Sequence, residues 1–303
     1  MKQENRKTES RNPDTRYIDT LSTLEMMKAI NREDKKVALA VETQIPQIAR
    51  SVDAVYERLR SGGRLFYCGA GTSGRMGILD ASECQPTYNV PPSMVQALIA
   101  GGKDAVFHAV ENAEDDTRAC GEELARRGFG KGDVLVGIAA SGTTPFVLGG
   151  LAYARNLGAL TIGICCNDDM PMAQVADICI TPVVGPEVIT GSTRMKSGTA
   201  QKLVLNMIST GVMIRLGKVY GNLMVDLQVS NAKLADRARR IVAQAASVDD
   251  ETAEQTLRQC DGEVKTAIVQ LCTRTDTGSA RRRLAQCGGV VRRALDYVEG
   301  NCG

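Results

Sequence analysis

Five short apolar runs dominate the first two thirds of the chain. Each run ends in a turn rich in glycine, serine, threonine or aspartate, and a helical or loop segment follows the turn. Apolar runs that alternate with helices are typical of a parallel sheet covered by helices on both faces. The runs predict strands over residues 64–68, 94–100, 134–140, 160–166 and 178–184. Ligands bind at the carboxyl ends of such strands, so we expect the functional residues in these turns.

Helical patterns precede the predicted sheet. Apolar residues at spacings of three and four predict helices over 22–31 and 33–60, with a capped break at Asn31–Asp34 between them. The residues before these helices are charged and interrupted by proline, which predicts a flexible arm or one ordered only against a partner.

Helical patterns also follow the sheet. Two stretches near the end resemble each other, with glycine turns at 261–262 and 288–289, and this part is similar to the three-helix ubiquitin-associated type of module. We expect it to cover core or to make subunit contacts rather than to bind ubiquitin. The predicted domains are an arm over 1–18, an α/β domain over 19–225 and a helical subdomain over 226–303.

Composition excludes several classes of function. The chain has 303 residues with 37 basic and 35 acidic side chains, and its net charge of +2 gives no reason to expect nucleic-acid binding. His108 is the single histidine, which excludes zinc sites that need two histidines from one chain. Acid/base chemistry then falls mainly to carboxylates, lysines or tyrosines, unless His108 is the base of a hydrolase.

The cysteines and the apolar runs bear on the compartment. The ten cysteines form no C-x-x-C pair, and several lie inside apolar runs, where a thiol acts as a small hydrophobic group. Because the sequence opens without a signal-peptide pattern, we expect a cytoplasmic protein with reduced cysteines. No apolar run reaches the ~18 residues of a membrane helix, so we expect a soluble protein without membrane contact.

The turn after the first predicted strand matches G-x-G-x-x-G between a strand and a helix. A dinucleotide site also needs an acidic residue at the tip of the next strand, which here ends at residues 100–103 without a suitable carboxylate. Gly71 is instead followed by Thr72 and Ser73, whose hydroxyls beside helix N-terminal N–H groups suit a phosphate monoester. A purely structural glycine turn remains an alternative.

A second hydroxyl-rich turn follows the third predicted strand. Ser141, Gly142, Thr143 and Thr144 lead into a helix that begins with Pro145, a residue favoured in the first helical turn. One such turn is usually only a helix cap. Two of them on neighbouring strands can surround one phosphate, which predicts a sugar-phosphate or similar small-molecule ligand.

These turns resemble those of the sugar isomerase (SIS) domain, and longer motifs resemble the N-acetylmuramic acid 6-phosphate etherases across essentially the whole chain. The motifs are RNPDTRYIDTLSTLEMMKAIN at 11–31, GAGTSGRMGILDASECQPT at 69–87, ENAEDD at 111–116 and GSTRMKSGTAQK at 191–202. A more distant relative, the glucokinase regulatory protein, binds sugar phosphates on the same fold without catalysis, in a much longer chain.

The resemblance implies a carbon–oxygen lyase that removes D-lactate from C3 of N-acetylmuramic acid 6-phosphate by elimination and water addition. It implies no metal and no other cofactor, and a homodimer with its site near the subunit interface. It also places the two catalytic carboxylates at Glu83, as proton donor to the lactyl oxygen, and at Glu114, as the C2 base, with the reverse assignment left open. Because Glu83 follows an apolar stretch and precedes a proline, we expect its carboxyl to be partly buried.

Four other residues have two possible roles each. Arg194 and Lys196 either hold the phosphate or the lactyl carboxylate, or form salt bridges at a helix cap. Glu111 either touches the sugar or, like Asp116, is a solvated charge at a helix start. His108 is a packed or surface residue, with a substrate contact as the alternative.

The sequence departs from the family at Thr143, where etherases commonly carry an arginine, so the phosphate contact there loses a charge. Two other functions share the fold: a sugar-phosphate-sensing regulator without turnover, and a sugar-phosphate isomerase. The two glutamates favour the etherase over the regulator, and the segments 111–116 and 191–198 favour it over the isomerase.

Overall fold

The computed structural model describes residues 6–227 and 232–297; the rest of the predicted arm and helical subdomain lies outside the described residues. The chain divides into two compact units. The described residues of the first unit are 6–82 and 92–210, and those of the second are 83–91, 211–227 and 232–297. The domain borders proposed from the sequence stay predictions.

The first unit contains a parallel sheet of five strands, as the sequence predicts. The strands are β1 (Leu65–Gly69), β2 (Val95–Ile99), β3 (Val134–Ile138), β4 (Leu160–Ile164) and β5 (Ile178–Ile180). Their order is β2-β1-β3-β4-β5, and every neighbouring pair is parallel. The turns after β1 and β3 therefore leave the same edge from adjacent strands.

Helices connect and cover the strands. They are α1 (Thr23–Glu42), α2 (Ile45–Arg60), α3 (Gly71–Tyr88), α4 (Ala119–Arg126), α5 (Pro145–Asn156), α6 (Met172–Val175) and α7 (Lys196–Arg215). Phe66, Cys68 and Leu135 belong to a buried cluster that includes side chains of α4 and α5. Tyr67 points to the opposite face, because side chains alternate along a strand, and there it contacts α3 beside Gly77. Helices therefore cover both faces, which confirms the predicted architecture.

The predicted break at Asn31–Asp34 is wrong, because α1 continues through it and the chain breaks at residues 43–44. The polar residues resemble a helix cap in sequence. Glu33, however, is 3% exposed, and its carboxylate accepts a hydrogen bond from Lys196 Nζ at 2.6 Å. The real break precedes Pro46, which fits the first turn of α2 because an N–H there has no helical partner.

The expectation of a flexible arm is also wrong for the residues of this segment that the structure describes. The segment forms three 3-10 turns, Lys7–Glu9, Pro13–Thr15 and Ile18–Thr20. Thr8 is buried, and its N–H donates to Asn167 Oδ1 at 3.2 Å. Asn12 Nδ2 and Thr15 Oγ1 donate to backbone carbonyls of the loop after β5, at 3.2 and 2.8 Å. Polar composition indicates an arm, but here the polar groups bond to the first unit.

The second unit joins a short hairpin to helices. The hairpin strands are β6 (Val219–Tyr220) and β7 (Leu223–Met224), and the helices are α8 (Ala232–Ala246), α9 (Asp250–Gln259), α10 (Val264–Thr273), α11 (Thr277–Gln286) and α12 (Val291–Leu295). This unit has a buried cluster of its own, which includes Val242, Leu257, Ile268 and Leu284. The hairpin has no counterpart in the sequence-based prediction.

Two helix pairs of this unit, α9–α10 and α11–α12, resemble each other as the sequence predicts. α9 and α11 follow the N-cap residues Asp249 and Asp276, whose carboxylates each accept a backbone N–H three residues on. Their C-cap residues are the buried cysteines Cys260 and Cys287, and a glycine turn follows each. The similarity to the ubiquitin-associated module stays a prediction.

The nine described cysteines are all free of disulfides, and seven of them are buried. Over residues 6–227 and 232–297, no helix combines the length and the apolar content needed to cross a bilayer.

Candidate functional site

The first glycine turn lies where β1 ends and α3 begins. Gly71 has a φ of +50°, and the two residues that follow, Thr72 and Ser73, are half-buried and buried. Gly74 packs so closely that a Cβ there would lie 2.6 Å from Ile99 Cγ1 and 2.7 Å from the Gly69 carbonyl oxygen. The glycines thus let α3 begin directly at the strand end, where its first N–H groups have no helical acceptor.

The start of α7 packs against this turn. A Cβ on Gly198 would lie 3.1 Å from Thr72 Cγ2, so the glycine leaves room for the threonine methyl group. Ser73 Oγ donates to Gln201 Oε1 at 3.0 Å. Gln201 is buried, and in the described chain its Nε2 is a buried side-chain nitrogen that lacks a hydrogen-bond partner. Sequence reasoning missed Gln201, although it lies inside the quoted GSTRMKSGTAQK motif.

The second turn carries its hydroxyls at the end of β3. Ser141 Oγ accepts from Thr143 N at 3.2 Å and from Thr143 Oγ1 at 3.1 Å, so its own hydroxyl hydrogen is left to donate. Gly142 has a φ of +71°, and a Cβ there would meet Met170 Cβ at 2.6 Å. Thr144 is the N-cap of α5 but makes no side-chain capping bond. The turn therefore presents hydroxyl donors above a helix N-terminus.

Asn167, which lies shortly after β4, forms hydrogen bonds that fix the second turn. Its Nδ2 donates to the carbonyl oxygen of Ala140 at 3.1 Å and to Thr8 Oγ1 at 3.0 Å. The N-terminal segment thus supports the turn through a buried amide. Sequence reasoning missed Asn167 and Thr8; the position of Asn167 at the tip of a predicted strand was the available signal.

Glu114 shares a cavity with the first turn. It lies in a 3-10 turn, Ala113–Asp115, and its side chain is exposed. The cavity measures about 190 Å³, and its lining includes Gly71, Arg75, His108 and Glu114. The structure therefore brings one of the two predicted carboxylates to the predicted phosphate turn within the first unit.

Glu83 lies further along α3 and is exposed, so the expected partial burial is wrong for the single chain. It follows Gly71 by twelve residues on one helix. Glu83 is the first residue of α3 that belongs to the second unit.

The acidic residues around Glu114 differ in their contacts. Asp116 Oδ1 accepts from the N–H groups of Arg118 and Ala119 at 2.8 and 3.1 Å, and these bonds lower the pKa of Asp116. It is a helix-start charge, as expected. Glu111 is exposed, and its role as a sugar contact stays a prediction.

Lys196 begins α7 and is buried, which corrects the reading of this residue as a substrate contact. Its ammonium donates to Glu33, and its N–H donates to Glu187 Oε2 at 2.9 Å. Burial alone would raise the pKa of Glu33, but hydrogen bonds from Lys196 and Lys36 outweigh burial and lower it. The alternative reading, a salt bridge at a helix cap, is the one observed. Arg194 is exposed, so it stays a candidate contact.

His108 is exposed, as the surface reading expects. Its backbone carbonyl accepts a hydrogen bond from Arg75 Nη2 at 3.3 Å. The residue also lines the cavity of Glu114.

Solved structures share this fold. A phosphoheptose isomerase from Francisella tularensis is 18% identical with a TM-score of 0.51, and the match covers 64% of this chain and 100% of that one. A phosphoheptose isomerase from Neisseria gonorrhoeae is 18% identical with a TM-score of 0.50, over 63% and 99% of the two chains. At this identity the likeness shows the fold alone.

Family models match along the chain. The SIS domain model matches residues 128–210, and the model of the glucokinase regulatory protein N-terminal SIS domain matches 47–155. The model of the C-terminal lid domain of glucokinase regulatory protein matches 221–261. The parallel sheet is thus that of an SIS-domain protein.

Curated relatives show to which family of SIS-domain proteins the chain belongs. A protein of Photorhabdus laumondii named N-acetylmuramic acid 6-phosphate etherase is 56% identical over 96% of this chain and 97% of its own. A relative from Vibrio parahaemolyticus, named N-acetylmuramic acid 6-phosphate etherase 2, is 57% identical over 95% of this chain and 96% of its own. A relative from Clostridium beijerinckii, named N-acetylmuramic acid 6-phosphate etherase, is 54% identical over 96% of both chains. The chain belongs to the N-acetylmuramic acid 6-phosphate etherase family.

Proposed function

We propose that this chain is a carbon–oxygen lyase that cleaves the D-lactyl ether of N-acetylmuramic acid 6-phosphate, releasing N-acetylglucosamine 6-phosphate and D-lactate in cell-wall sugar recycling. The observation that carries the proposal is the shared cavity of Glu114 and Gly71, in a chain of this family. A base next to a phosphate turn is what removal of a proton from a bound sugar phosphate requires.

The phosphate binds between the two turns. Thr72, Ser141 and Thr144 supply hydroxyls, and the starts of α3 and α5 supply N–H groups and the positive ends of two helix dipoles. Adjacent strands place these groups at one edge of the sheet. A chain with a net charge of only +2 can bind an anion in this way without a cluster of basic side chains.

The reaction proceeds through the open-chain sugar, whose C1 aldehyde acidifies the hydrogen on C2. Glu114 removes this proton, and the electron pair of the C–H bond forms an enolate over C1 and C2. The enolate collapses to a C2=C3 double bond as the C3–O bond breaks, and the lactyl oxygen takes a proton from Glu83. Water then adds its oxygen to C3, and C2 regains a proton. The net reaction adds one water and transfers no electrons, so two acid/base groups suffice without a cofactor.

A second copy of the chain supplies Glu83. The resemblance to the etherases supports this division, because it implies a homodimer with its site near the subunit interface. The exposure of Glu83 is consistent with a side chain that completes a neighbour's site. The enzyme is then a homodimer, and the described cysteines, which are mostly buried and form no disulfide, suit the reducing cytoplasm.

Incubation of the purified protein with N-acetylmuramic acid 6-phosphate tests the proposal. We expect D-lactate from the wild type, and a loss of at least about 100-fold in kcat for both Glu114→Gln and Glu83→Gln. Glu122→Gln, an exposed glutamate on α4, is the matched control and should keep full activity. Substrate binding without lactate release by the wild type would instead indicate a sugar-phosphate sensor, and would refute the etherase.

A further inference from the structure

One arginine ties the helix of the first turn to the segment that leads to Glu114. The guanidinium of Arg75 donates from Nε to the carbonyl oxygen of Val106 at 2.8 Å. Its Nη2 donates to the carbonyl oxygens of Ala105 at 2.8 Å and of His108 at 3.3 Å. These acceptors lie at the end of a 3-10 turn, Gly102–Val106, and just beyond it.

Ala105 is buried, but the chain from Phe107 to Val110 is exposed. Phe107 is 82% exposed, so its ring does not anchor the loop by burial. Val110 approaches the backbone at Gly101, where a Cβ would lie 2.8 Å from Val110 Cβ, but its side chain is 43% exposed. Three charge-assisted bonds from one guanidinium are therefore a large share of what orders the loop.

The position of Arg75 relates the loop to the phosphate turn. It follows Gly71 by one helical turn on α3, so the two residues lie on the same side of that helix. Both line the cavity that Glu114 also lines. A displacement of the loop relative to α3 would therefore move Glu114 relative to the phosphate.

We propose that Arg75 is a positioning residue, which holds the segment carrying Glu114 at a fixed distance from the phosphate turn. The catalytic part of this inference rests on the proposed function of Glu114. Arginine suits the role because its planar fork bonds several carbonyl oxygens at once, whereas the single ammonium of lysine cannot reproduce the fork.

Kinetics of three variants test the role. We expect Arg75→Met and Arg75→Lys to lower kcat by about 10- to 100-fold with KM changed by less than about threefold, because misplacement of a base by about 1 Å costs this much. Millimolar guanidinium should restore a measurable part of the kcat of Arg75→Ala. Arg60→Met is the control, since Arg60 pairs with Glu57 on the exposed face of α2. A rise in KM with kcat unchanged would overturn the proposal and indicate direct contact with the substrate.

Hydrogen exchange gives a readout that does not depend on turnover. The N–H groups of Phe107 and His108 both donate to the Asp104 carbonyl oxygen, so their exchange rates report the order of this loop. We expect exchange at both to rise at least about tenfold in Arg75→Met and to stay unchanged in Arg60→Met. Unchanged exchange in Arg75→Met overturns the proposal even if the wild type releases lactate. If the wild type releases none, the proposed function fails, and exchange still decides the structural role of Arg75.

Discussion

At the scale of single residues, hydroxyls and backbone N–H groups rather than basic side chains form the predicted phosphate site. Ser141 keeps a hydroxyl hydrogen to donate because its oxygen accepts from Thr143. The sequence predicts these turn residues because two hydroxyl-rich glycine turns follow neighbouring strands. It does not predict Gln201 or Asn167. Gln201 bonds to Ser73, 128 positions away, and Asn167 bonds to Thr8, 159 positions away, so no local pattern relates these residues.

Thr143 offers a gain-of-affinity test. Thr143→Arg introduces the arginine that the resemblance to the etherases predicts at this position, and a guanidinium bonds phosphate more strongly than a hydroxyl does. We expect KM for N-acetylmuramic acid 6-phosphate to fall about threefold to tenfold, with kcat little changed. Thr143→Gln controls for side-chain length without charge and should not lower KM. An unchanged or higher KM in Thr143→Arg would argue against phosphate at the second turn.

At the scale of elements, the strands are the best-predicted part of the fold. Each observed strand lies inside its predicted run or within one residue of it, because strands buried on both faces are continuous apolar segments. The predicted break within α1 is wrong for a physical reason. Glu33 is stabilised by Lys196, 163 residues away, and local patterns contain no information on such a pair.

The Glu33–Lys196 pair predicts a pH-dependent stability. Hydrogen bonds hold the pKa of Glu33 below its ordinary value of 4.5, so its carboxylate stabilises the fold above that value, and the effect is lost as the pH falls through the lowered pKa. We expect Glu33→Gln to lower the free energy of unfolding by about 3–5 kcal/mol at neutral pH, because it leaves buried Lys196 without its partner charge. The difference from wild type should shrink toward acid pH.

Urea unfolding at neutral and acid pH measures this difference. Glu25→Gln is the control on the same helix, because Glu25 pairs with Lys28 where both side chains are about half exposed. It should change stability little at either pH. An equal loss for Glu33→Gln at both pH values would mean that the charge on Glu33 does not stabilise the fold.

The second glycine turn predicts a local effect. Gly142→Ala introduces a Cβ 2.6 Å from Met170 Cβ at a φ of +71°, so we expect a loss of about 1–3 kcal/mol in stability and a higher KM. Gly130→Ala is the matched control, since a Cβ there meets no atom within 4 Å. Thermal unfolding and initial rates measure both. A Gly142→Ala enzyme with wild-type Tm and KM would contradict the close packing of this turn.

For the molecule as a whole, the proposed mechanism uses two copies of the chain. Glu114 lines a cavity with the first turn, and Glu83 is exposed on α3. The sequence places both glutamates in family motifs but contains no measure of their separation.

Mixed dimers test this division. A heterodimer of one Glu83→Gln subunit and one Glu114→Gln subunit keeps one complete site if each site takes its glutamates from different subunits. We expect about half of the wild-type kcat per dimer in differently tagged, co-purified heterodimers, because a two-fold dimer has two equivalent sites. Homodimers of either variant are the controls and should be inactive. An inactive heterodimer would mean that each chain supplies both glutamates to its own site.

In the proposed mechanism lactate leaves by elimination after a proton is removed from C2, and turnover in D2O measures this step. The wild type should release D-lactate and yield N-acetylglucosamine 6-phosphate with one solvent deuterium at C2. Glu83→Gln should still exchange the C2 hydrogen of the substrate without releasing lactate, and Glu114→Gln should do neither. A product that keeps its original hydrogen at C2, with lactate released, would contradict the account.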